Sequence, residues 1–192
     1  KREPQEIQIV AIGASTGGPI VLQTILSLLP KNFPAPILIV QHMATGFTEG
    51  FAQWLTESTG FPVHLAVDGQ NPMFGNAYVA PDGLHMRLDK VGRIGLVNDE
   101  AVNGLRPSAS YLFRSVLHVC GAKSAAILLS GMGKDGAEEL KLLKERGALT
   151  IVQDKESSVV FGMPGEAIRL DAATYVLAPE KIAGALKTLV GR

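Results

Sequence analysis

The 192-residue chain contains a single cysteine, Cys120, and no excess of either charge. One cysteine excludes a disulfide within the chain and is typical of a reducing compartment. Eighteen basic residues balance eighteen acidic ones, so the composition does not favour binding to nucleic acid or to an anionic membrane. No apolar run approaches the roughly 20 residues of a membrane span, and no signal peptide is recognisable. These absences predict a cytoplasmic protein without membrane insertion.

The remaining composition is that of a folded globular domain. Hydrophobic residues make up 46% of the chain and charged residues 19%, which excludes intrinsic disorder and predicts a substantial core. The polar stretch KREPQE at residues 1–6 is interpreted as a linker stub. One compact domain is therefore expected over residues 7–192.

Apolar runs typical of strands alternate with helical patterns along most of the chain. The predicted strands are 7–12, 35–41, 124–131, 148–154 and 173–178. The predicted helices are 18–29, 47–58, 107–119, 135–147, 163–170 and 179–190. This alternation predicts an α/β fold with a doubly wound, mostly parallel sheet and helices on both faces. The short runs and PDG and DKVG breaks near residues 63–97 predict an antiparallel β-hairpin excursion.

Polar residues follow several predicted strands at the point where each strand ends. Ser15 follows the first strand, His42 the second and Asp135 the strand at 124–131. Ligands of open parallel sheets bind beyond the carboxyl ends of the strands, and a hydroxyl, an imidazole and a carboxylate together form a nucleophilic relay. These three residues are the predicted catalytic triad, with Asp154 as the substitute acid.

The glycine-rich segment IGASTGGP, residues 12–19, allows a second function. It resembles G-x-G-x-x-G, but Ser15 occupies the second glycine position, and Gln41 and His42 stand where a ribose-binding acid is expected. A P-loop lysine is also absent. A non-catalytic nucleotide-binding or anion-binding domain that uses the Gly13–Gly18 loop remains the alternative, because glycine-rich loops at helix N-termini bind anions.

Each candidate residue also has a purely structural interpretation. Ser15 is suited to cap the following helix, and His42 to be a buried histidine. Asp135 and Glu138 form a D-x-x-E pattern, which predicts that Asp135 caps the helix after it. Of the other histidines, His64 and His118 are interpreted as surface or packing residues and His85 as lining the cleft. No metal is predicted, since these histidines and carboxylates lack metal-ligand spacing.

Five segments together resemble one known family. They are IGASTGGP, IVQHM, AYVAPDGLHM, LSGMGKDGAEEL and FGMPGEAI. In this order, from about residue 7 to the C-terminus, they resemble the catalytic domain of CheB-type protein-glutamate methylesterases of bacterial chemotaxis. The resemblance implies a cofactor-free serine hydrolase with the triad Ser15, His42 and Asp135. An inactive domain that only binds receptors is a second alternative, beside the nucleotide-binding or anion-binding domain.

The resemblance also implies partners and a substrate. Such enzymes remove methyl esters from glutamate side chains in the cytoplasmic domains of chemoreceptors, and many deamidate receptor glutamines. Family members usually carry an N-terminal receiver domain, of which residues 1–192 show no sign. A tetrahedral intermediate also needs oxyanion donors, for which the backbone N–H of Met132 and a donor from Thr16 are the candidates. Met132 and residues 161–163 are expected to form edges of the cleft.

Overall fold

The structure, a computed structural model, describes residues 5–191, which form eleven β-strands and six α-helices. The strands are β1 (Gln5–Glu6), β2 (Ile9–Ala14), β3 (Ile37–Gln41), β4 (Val63–Leu65), β5 (Ala77–Val79), β6 (His85–Leu88), β7 (Ile94–Val97), β8 (Ser124–Leu128), β9 (Leu149–Gln153), β10 (Tyr175–Leu177) and β11 (Val190–Gly191). The helices are α1 (Gly18–Leu28), α2 (Thr48–Thr59), α3 (Ala109–Val119), α4 (Ala137–Glu145), α5 (Gly162–Arg169) and α6 (Pro179–Leu189).

Seven parallel strands form the central sheet, in the order β10-β9-β8-β2-β3-β5-β4. Both faces of this sheet are covered. Along β2, Val10 and Ile12 belong to a core cluster with residues of α1, α2 and α6, whereas Ile9 and Ala11 belong to a second cluster with residues of α3, α4 and α5. Successive side chains of a strand point to opposite faces, so β2 contributes to both cores. The predicted doubly wound α/β fold is confirmed.

The predicted antiparallel excursion is real but shorter than expected. Among the strands of residues 5–191, β6 and β7 alone pair antiparallel, with His85 opposite Val97 and Leu88 opposite Ile94. The strands β4 and β5 join the parallel sheet instead. Residues 66–76 connect them without a tight hairpin, so the chain returns in its original direction. Strands of three residues are too short for their side-chain pattern to reveal the direction of pairing.

The strand order places a crevice beside β2. From β2 the chain builds β3, β5 and β4 on one side, and then returns to build β8, β9 and β10 on the other. The connections that leave the carboxyl ends of β2 and β8 therefore lead to helices on opposite faces of the sheet, α1 and α4. This is a topological switch point, where open α/β sheets bind their ligands.

The ends of the described chain lie together. Gln5 and Glu6 pair in parallel with Val190 and Gly191. Of the predicted linker stub, residues 1–4 lie outside the described residues, and the boundary of the domain at residue 7 stays a prediction. Between residues 5 and 191, no helix has the length and apolar character needed to cross a bilayer.

Candidate active site

Ser15 is the first residue after β2, between the ends of two neighbouring strands. Its N–H donates to Ser130 O at 2.9 Å, which continues the pairing of β2 with β8 beyond the strands themselves. The helix that follows does not use the serine as a cap. The N-cap of α1 is Gly17, and no side chain caps this helix. The capping interpretation of Ser15 is therefore wrong, and its hydroxyl is not committed to the helix.

A glycine allows the turn after β8 to approach Ser15. A methyl group on Gly131 would lie 2.5 Å from Ser15 Cβ and 2.7 Å from the sulfur of Met163. Such distances are far below van der Waals contact, so any side chain at residue 131 would displace Ser15 or Met163. The glycine-rich turn thus forms one wall directly against the candidate nucleophile.

His42 occupies the corresponding position after β3. Ala14 pairs with Gln41 in the register of β2 and β3, and the N–H of His42 donates to Ala14 O at 2.9 Å. The backbones of Ser15 and His42 are therefore neighbours at the same edge of the sheet. The side chain of His42 is 10% exposed, and its Nε2 lies 2.7 Å from Asp135 Oδ2.

Asp135 is 1% exposed and receives five hydrogen bonds. The donors are His42 Nε2 (2.7 Å) and Ala109 N (2.7 Å) to Oδ2, and Ser108 Oγ (2.6 Å), Asn103 Nδ2 (3.1 Å) and Ser110 N (3.1 Å) to Oδ1. Burial alone would raise the pKa of Asp135, but the hydrogen bonds from His42, Ser108 and Ala109 outweigh it and lower the pKa to about 2. The carboxylate is therefore ionised at neutral pH, as a triad acid must be.

The predicted role of Asp135 as the cap of its own helix is wrong. The N-cap of α4 is Gly136, with φ 84°, and no side chain caps this helix. The carboxylate instead lies at the N-terminus of α3, where it accepts the backbone N–H groups of Ala109 and Ser110, which have no acceptor within the first turn of the helix. A helix N-terminus carries partial positive charge and favours an anion. The D-x-x-E pattern was misleading because a helix distant in sequence offers Asp135 more donors.

The charge on Asp135 determines which nitrogen of His42 can act as a base. An ionised carboxylate only accepts hydrogen bonds, so the Nε2 that faces it carries the proton. In the neutral imidazole this leaves the lone pair on Nδ1. Nδ1 is therefore the ring nitrogen of His42 that keeps a lone pair and can accept a proton.

A further layer of polar residues supports the acid, and sequence reasoning missed it. Ser110 Oγ donates to Glu139 Oε2 at 2.6 Å and accepts from Gly136 N at 2.8 Å. Arg114 in turn donates to Glu139 Oε1 at 3.1 Å. These contacts connect α3 to α4 and to its N-cap, next to Asp135. The one visible signal was the pair of serines in the PSAS segment at residues 107–110, just before a helix.

The two candidate oxyanion donors lie on exposed parts of the surrounding loops. Thr16 directly follows Ser15 and is exposed, and Met132 is 71% exposed. The N–H of Gly131 is already donated to Val160 O at 2.9 Å. The next amide along this turn, that of Met132, is therefore the nearest candidate, and both assignments stay predictions. Of the expected edges of the cleft, Met132 is exposed but Met163 is buried in the core.

The competing residues make other contacts. Asp154 accepts hydrogen bonds from Ser157 within its own turn. His85 does not line an open cleft as expected, because its side chain is fully buried. Its Nε2 lies 2.8 Å from Glu100 O, and its ring stacks on that of Tyr111 with the ring centroids 4.2 Å apart. His64 pairs with Asn76, and His118 contacts a backbone carbonyl within α3. In the described part of the chain, no group of three or more histidine, cysteine or acidic side chains is arranged so that it could hold a metal ion.

An apolar groove of about 420 Å³ begins beside the candidate triad. Its lining includes Pro19, Met43, Phe47, Phe51 and Trp54. Pro19 follows the serine loop and Met43 follows His42 directly, so the groove continues from the site onto α2. The surface next to the serine loop is therefore partly apolar.

Comparison with known proteins gives consistent matches. The sequence profile of the CheB methylesterase family matches residues 10–186. A protein-glutamate methylesterase/protein-glutamine glutaminase of Nitrosospira multiformis is 61% identical over 183 residues, which are 95% of this chain and 52% of that protein. The corresponding protein 1 of Syntrophus aciditrophicus is 57% identical over 187 residues, or 97% of this chain and 53% of that protein. The chain thus spans about half the length of the curated relatives it matches.

A solved structure matches this chain over almost the full length of both proteins. The crystal structure of the Thermotoga maritima CheB methylesterase catalytic domain aligns with a TM-score of 0.92 and 40% sequence identity. The alignment covers 96% of this chain and 99% of that one. At this identity and coverage, the likeness extends to the whole architecture.

Proposed function

Since the chain belongs to the CheB methylesterase family, we propose that it is a serine hydrolase. Its proposed reaction removes methyl esters from glutamate side chains of chemoreceptors and releases methanol. The observation that carries the proposal is the ionised Asp135 at 2.7 Å from His42, at the sheet edge where Ser15 ends the neighbouring strand. No cofactor is part of the proposed chemistry.

The first half-reaction forms an acyl-enzyme. His42 Nδ1 takes the proton of Ser15 Oγ while Oγ bonds to the ester carbonyl carbon, and the carbonyl oxygen becomes an oxyanion. The N–H of Met132 and a donor from Thr16 stabilise this charge in the proposal. The C–OCH3 bond then breaks, and methoxide leaves as methanol with the proton from His42. Throughout, Asp135 stays ionised and stabilises the imidazolium.

The second half-reaction restores the enzyme. His42 takes a proton from water as the water oxygen attacks the acyl carbon, and the bond to Ser15 Oγ breaks as Oγ recovers a proton. The product is a free glutamate side chain. A glutamine side chain would follow the same path with ammonia as the leaving group, which accounts for a deamidase activity like that in the names of the relatives.

The proposal extends to the context of the domain. We assign residues 7–192 to the catalytic domain and expect a receiver domain N-terminal to it in the full-length protein. The support is that the chain spans only about half the length of its relatives. The chemoreceptor substrate implies a cytoplasmic location.

The anion-binding alternative has no observation in its favour. An anion at the N-terminus of α1 would need free backbone N–H groups. The N–H of Gly18 is donated to Ser15 O at 2.8 Å, and Pro19 has none. Two of the first amides of this helix are therefore unavailable to a ligand.

Release of methanol from methylated receptor membranes tests the proposal. We expect wild-type protein to release methanol and Ser15→Ala to lose this activity. The matched control is Ser157→Ala, an exposed serine in another loop at the same end of the sheet, which should keep full activity. Absence of methanol with the folded wild-type protein, or equal release by Ser15→Ala, would contradict the proposal.

A further inference from the structure

Gln41 connects the backbones of the two reacting residues. It ends β3, is 3% exposed and immediately precedes His42. Its Nε2 donates to Ser15 O at 2.8 Å and to His42 O at 3.0 Å. A side-chain amide nitrogen has two hydrogens, so a single group can make both bonds.

The other end of the same amide is left without a partner. Gln41 Oε1 is buried and accepts no hydrogen bond from any described residue. It lies against the serine loop, where a methyl group on Gly18 would come within 2.3 Å of it. Burial of an unpaired acceptor disfavours folding. Stability alone therefore does not explain a glutamine here.

A second glutamine in the equivalent position shows the contrast. The strands β3 (ILIVQ) and β9 (LTIVQ) both end in a buried glutamine. Gln153 on β9 satisfies both ends, because its Oε1 accepts from Ser130 N at 2.8 Å and its Nε2 donates to Ser157 O at 3.0 Å. Gln41 differs in that both of its donors reach residues of the candidate triad, while its acceptor remains unused.

The carbonyl of Ser15 does not need Gln41 in order to be satisfied. It also accepts the N–H of Gly18 at 2.8 Å. After β3, the N–H of His42 already donates to Ala14 O at 2.9 Å. The hydrogen bond from Gln41 Nε2 to His42 O therefore holds the backbone of His42 at a second atom. The effect of Gln41 is therefore on the position of these backbones relative to each other.

We propose that Gln41 is a positioning residue for the hydrolytic reaction, which holds the backbone of the nucleophile Ser15 in register with that of the base His42. The inference rests on the proposed function. Gln41 does not touch the substrate. It acts by restricting the distance between Ser15 Oγ and the imidazole, where a misplacement of about 1 Å can lower a rate roughly 100-fold.

The test is Gln41→Met, which keeps the length of the side chain and removes both donors and the unpaired acceptor. We expect kcat for methanol release to fall about 10-fold to 100-fold, with KM changed less than about 2-fold. The rate at which a small fluorophosphonate labels Ser15 should fall by a similar factor. The midpoint of urea unfolding should change little, because a buried unpaired acceptor is lost together with the two bonds.

The matched control is Thr150→Val on β9. This substitution has nearly the same shape and removes two partly buried hydrogen bonds with Thr174 (3.2 Å to Oγ1 and 3.0 Å from N). It contacts neither Ser15 nor His42. We expect it to lower the unfolding midpoint and to leave kcat and the labelling rate unchanged. If Gln41→Met proves insoluble, Gln41→Asn replaces it, since the shorter amide cannot reach both carbonyls.

The outcomes separate this inference from the proposed function. Wild-type kcat and labelling rate in folded Gln41→Met would overturn the positioning role, and so would a loss confined to KM. The positioning role would also be overturned if kcat fell in both Gln41→Met and Thr150→Val in proportion to the fall in the unfolding midpoint of each variant. Labelling of Ser15 in wild-type protein without methanol release would instead refute the proposed function, while the labelling rates would still test Gln41.

Discussion

Replacement of Asp135 by asparagine separates a catalytic role of this residue from a structural one. Five donors surround the carboxylate, and asparagine has only one oxygen to accept them. In either orientation of the asparagine amide, its NH2 group faces hydrogen-bond donors. The negative charge that the proposed mechanism requires beside the imidazolium of His42 is also lost. We expect methanol release to fall roughly 10⁴-fold, the size of effect found when a triad aspartate becomes asparagine.

The stability change follows from the pKa of Asp135. The lowering of its pKa from 3.8 to about 2 corresponds to between about 2 and 3 kcal/mol of stability at neutral pH, at about 1.4 kcal/mol per unit. Since the folded-state pKa is the lower one, this contribution is fully present above the unfolded pKa and is lost as the pH falls through about 2. Asp135→Asn should therefore destabilise the protein by about 2 kcal/mol or more at pH 7, in excess of the roughly 1 kcal/mol expected of a simple helix cap.

Two measurements check these expectations. Urea unfolding from pH 7 to pH 2 should show the gap between wild type and Asp135→Asn narrowing below pH 4. The carboxyl carbon shift of Asp135, followed by NMR, should titrate with a midpoint near pH 2. Asp154→Asn, at the substitute acid, is the control and should keep near-normal activity. A folded Asp135→Asn protein with near-normal activity would refute the assignment, above all if Asp154→Asn were inactive.

Two further substitutions test the surroundings of the site. Gly131→Ala places a methyl group 2.5 Å from Ser15 Cβ and 2.7 Å from Met163 Sδ. We therefore expect kcat to fall about 100-fold, while the far-UV circular dichroism spectrum stays unchanged. A kcat equal to that of the wild type would show that the turn can move away from Ser15. Ser108→Ala removes both a donor to Asp135 and the N-cap of α3. It should lower the free energy of unfolding by about 1 to 2 kcal/mol and raise the pKa of Asp135, and an unshifted NMR midpoint would contradict this.

The sequence was sufficient to predict the fold and the edge of the sheet where the candidate residues lie. Strand and helix patterns alternate clearly, and parallel strands bring their carboxyl ends to one edge whatever their order. Ser15, His42 and Asp135 could therefore be placed together from three separate segments. The apolar pattern predicts that the first strand ends at residue 12, before Gly13, and this prediction is wrong. The strand continues to Ala14, because Gly13 pairs with Val40 and Leu128 of the two neighbouring strands. Glycine is required there because α3 packs so closely that a methyl group on Gly13 would lie 2.6 Å from Ala109 Cβ.

The residues that support the site could not be predicted in the same way. Ser108, Asn103 and Gln41 contact the candidate triad through bonds that span 26 to 32 positions in the sequence. Such pairs depend on how helices and loops pack, and no local pattern encodes them. For Asp135 the local pattern even favoured the wrong helix, because the N-terminus of α3 reaches it only in the folded chain.

Mapping of a covalent label tests most directly the central claim that His42 and Asp135 activate Ser15. Folded wild-type protein is treated with a small fluorophosphonate, and the modified residue is identified by mass spectrometry of peptides. We predict a label on Ser15 in preference to every other serine, with the loss of methanol release proportional to labelling, and only trace labelling of Ser15 in His42→Ala. A label on another serine that abolishes activity while Ser15 stays unmodified would contradict the account.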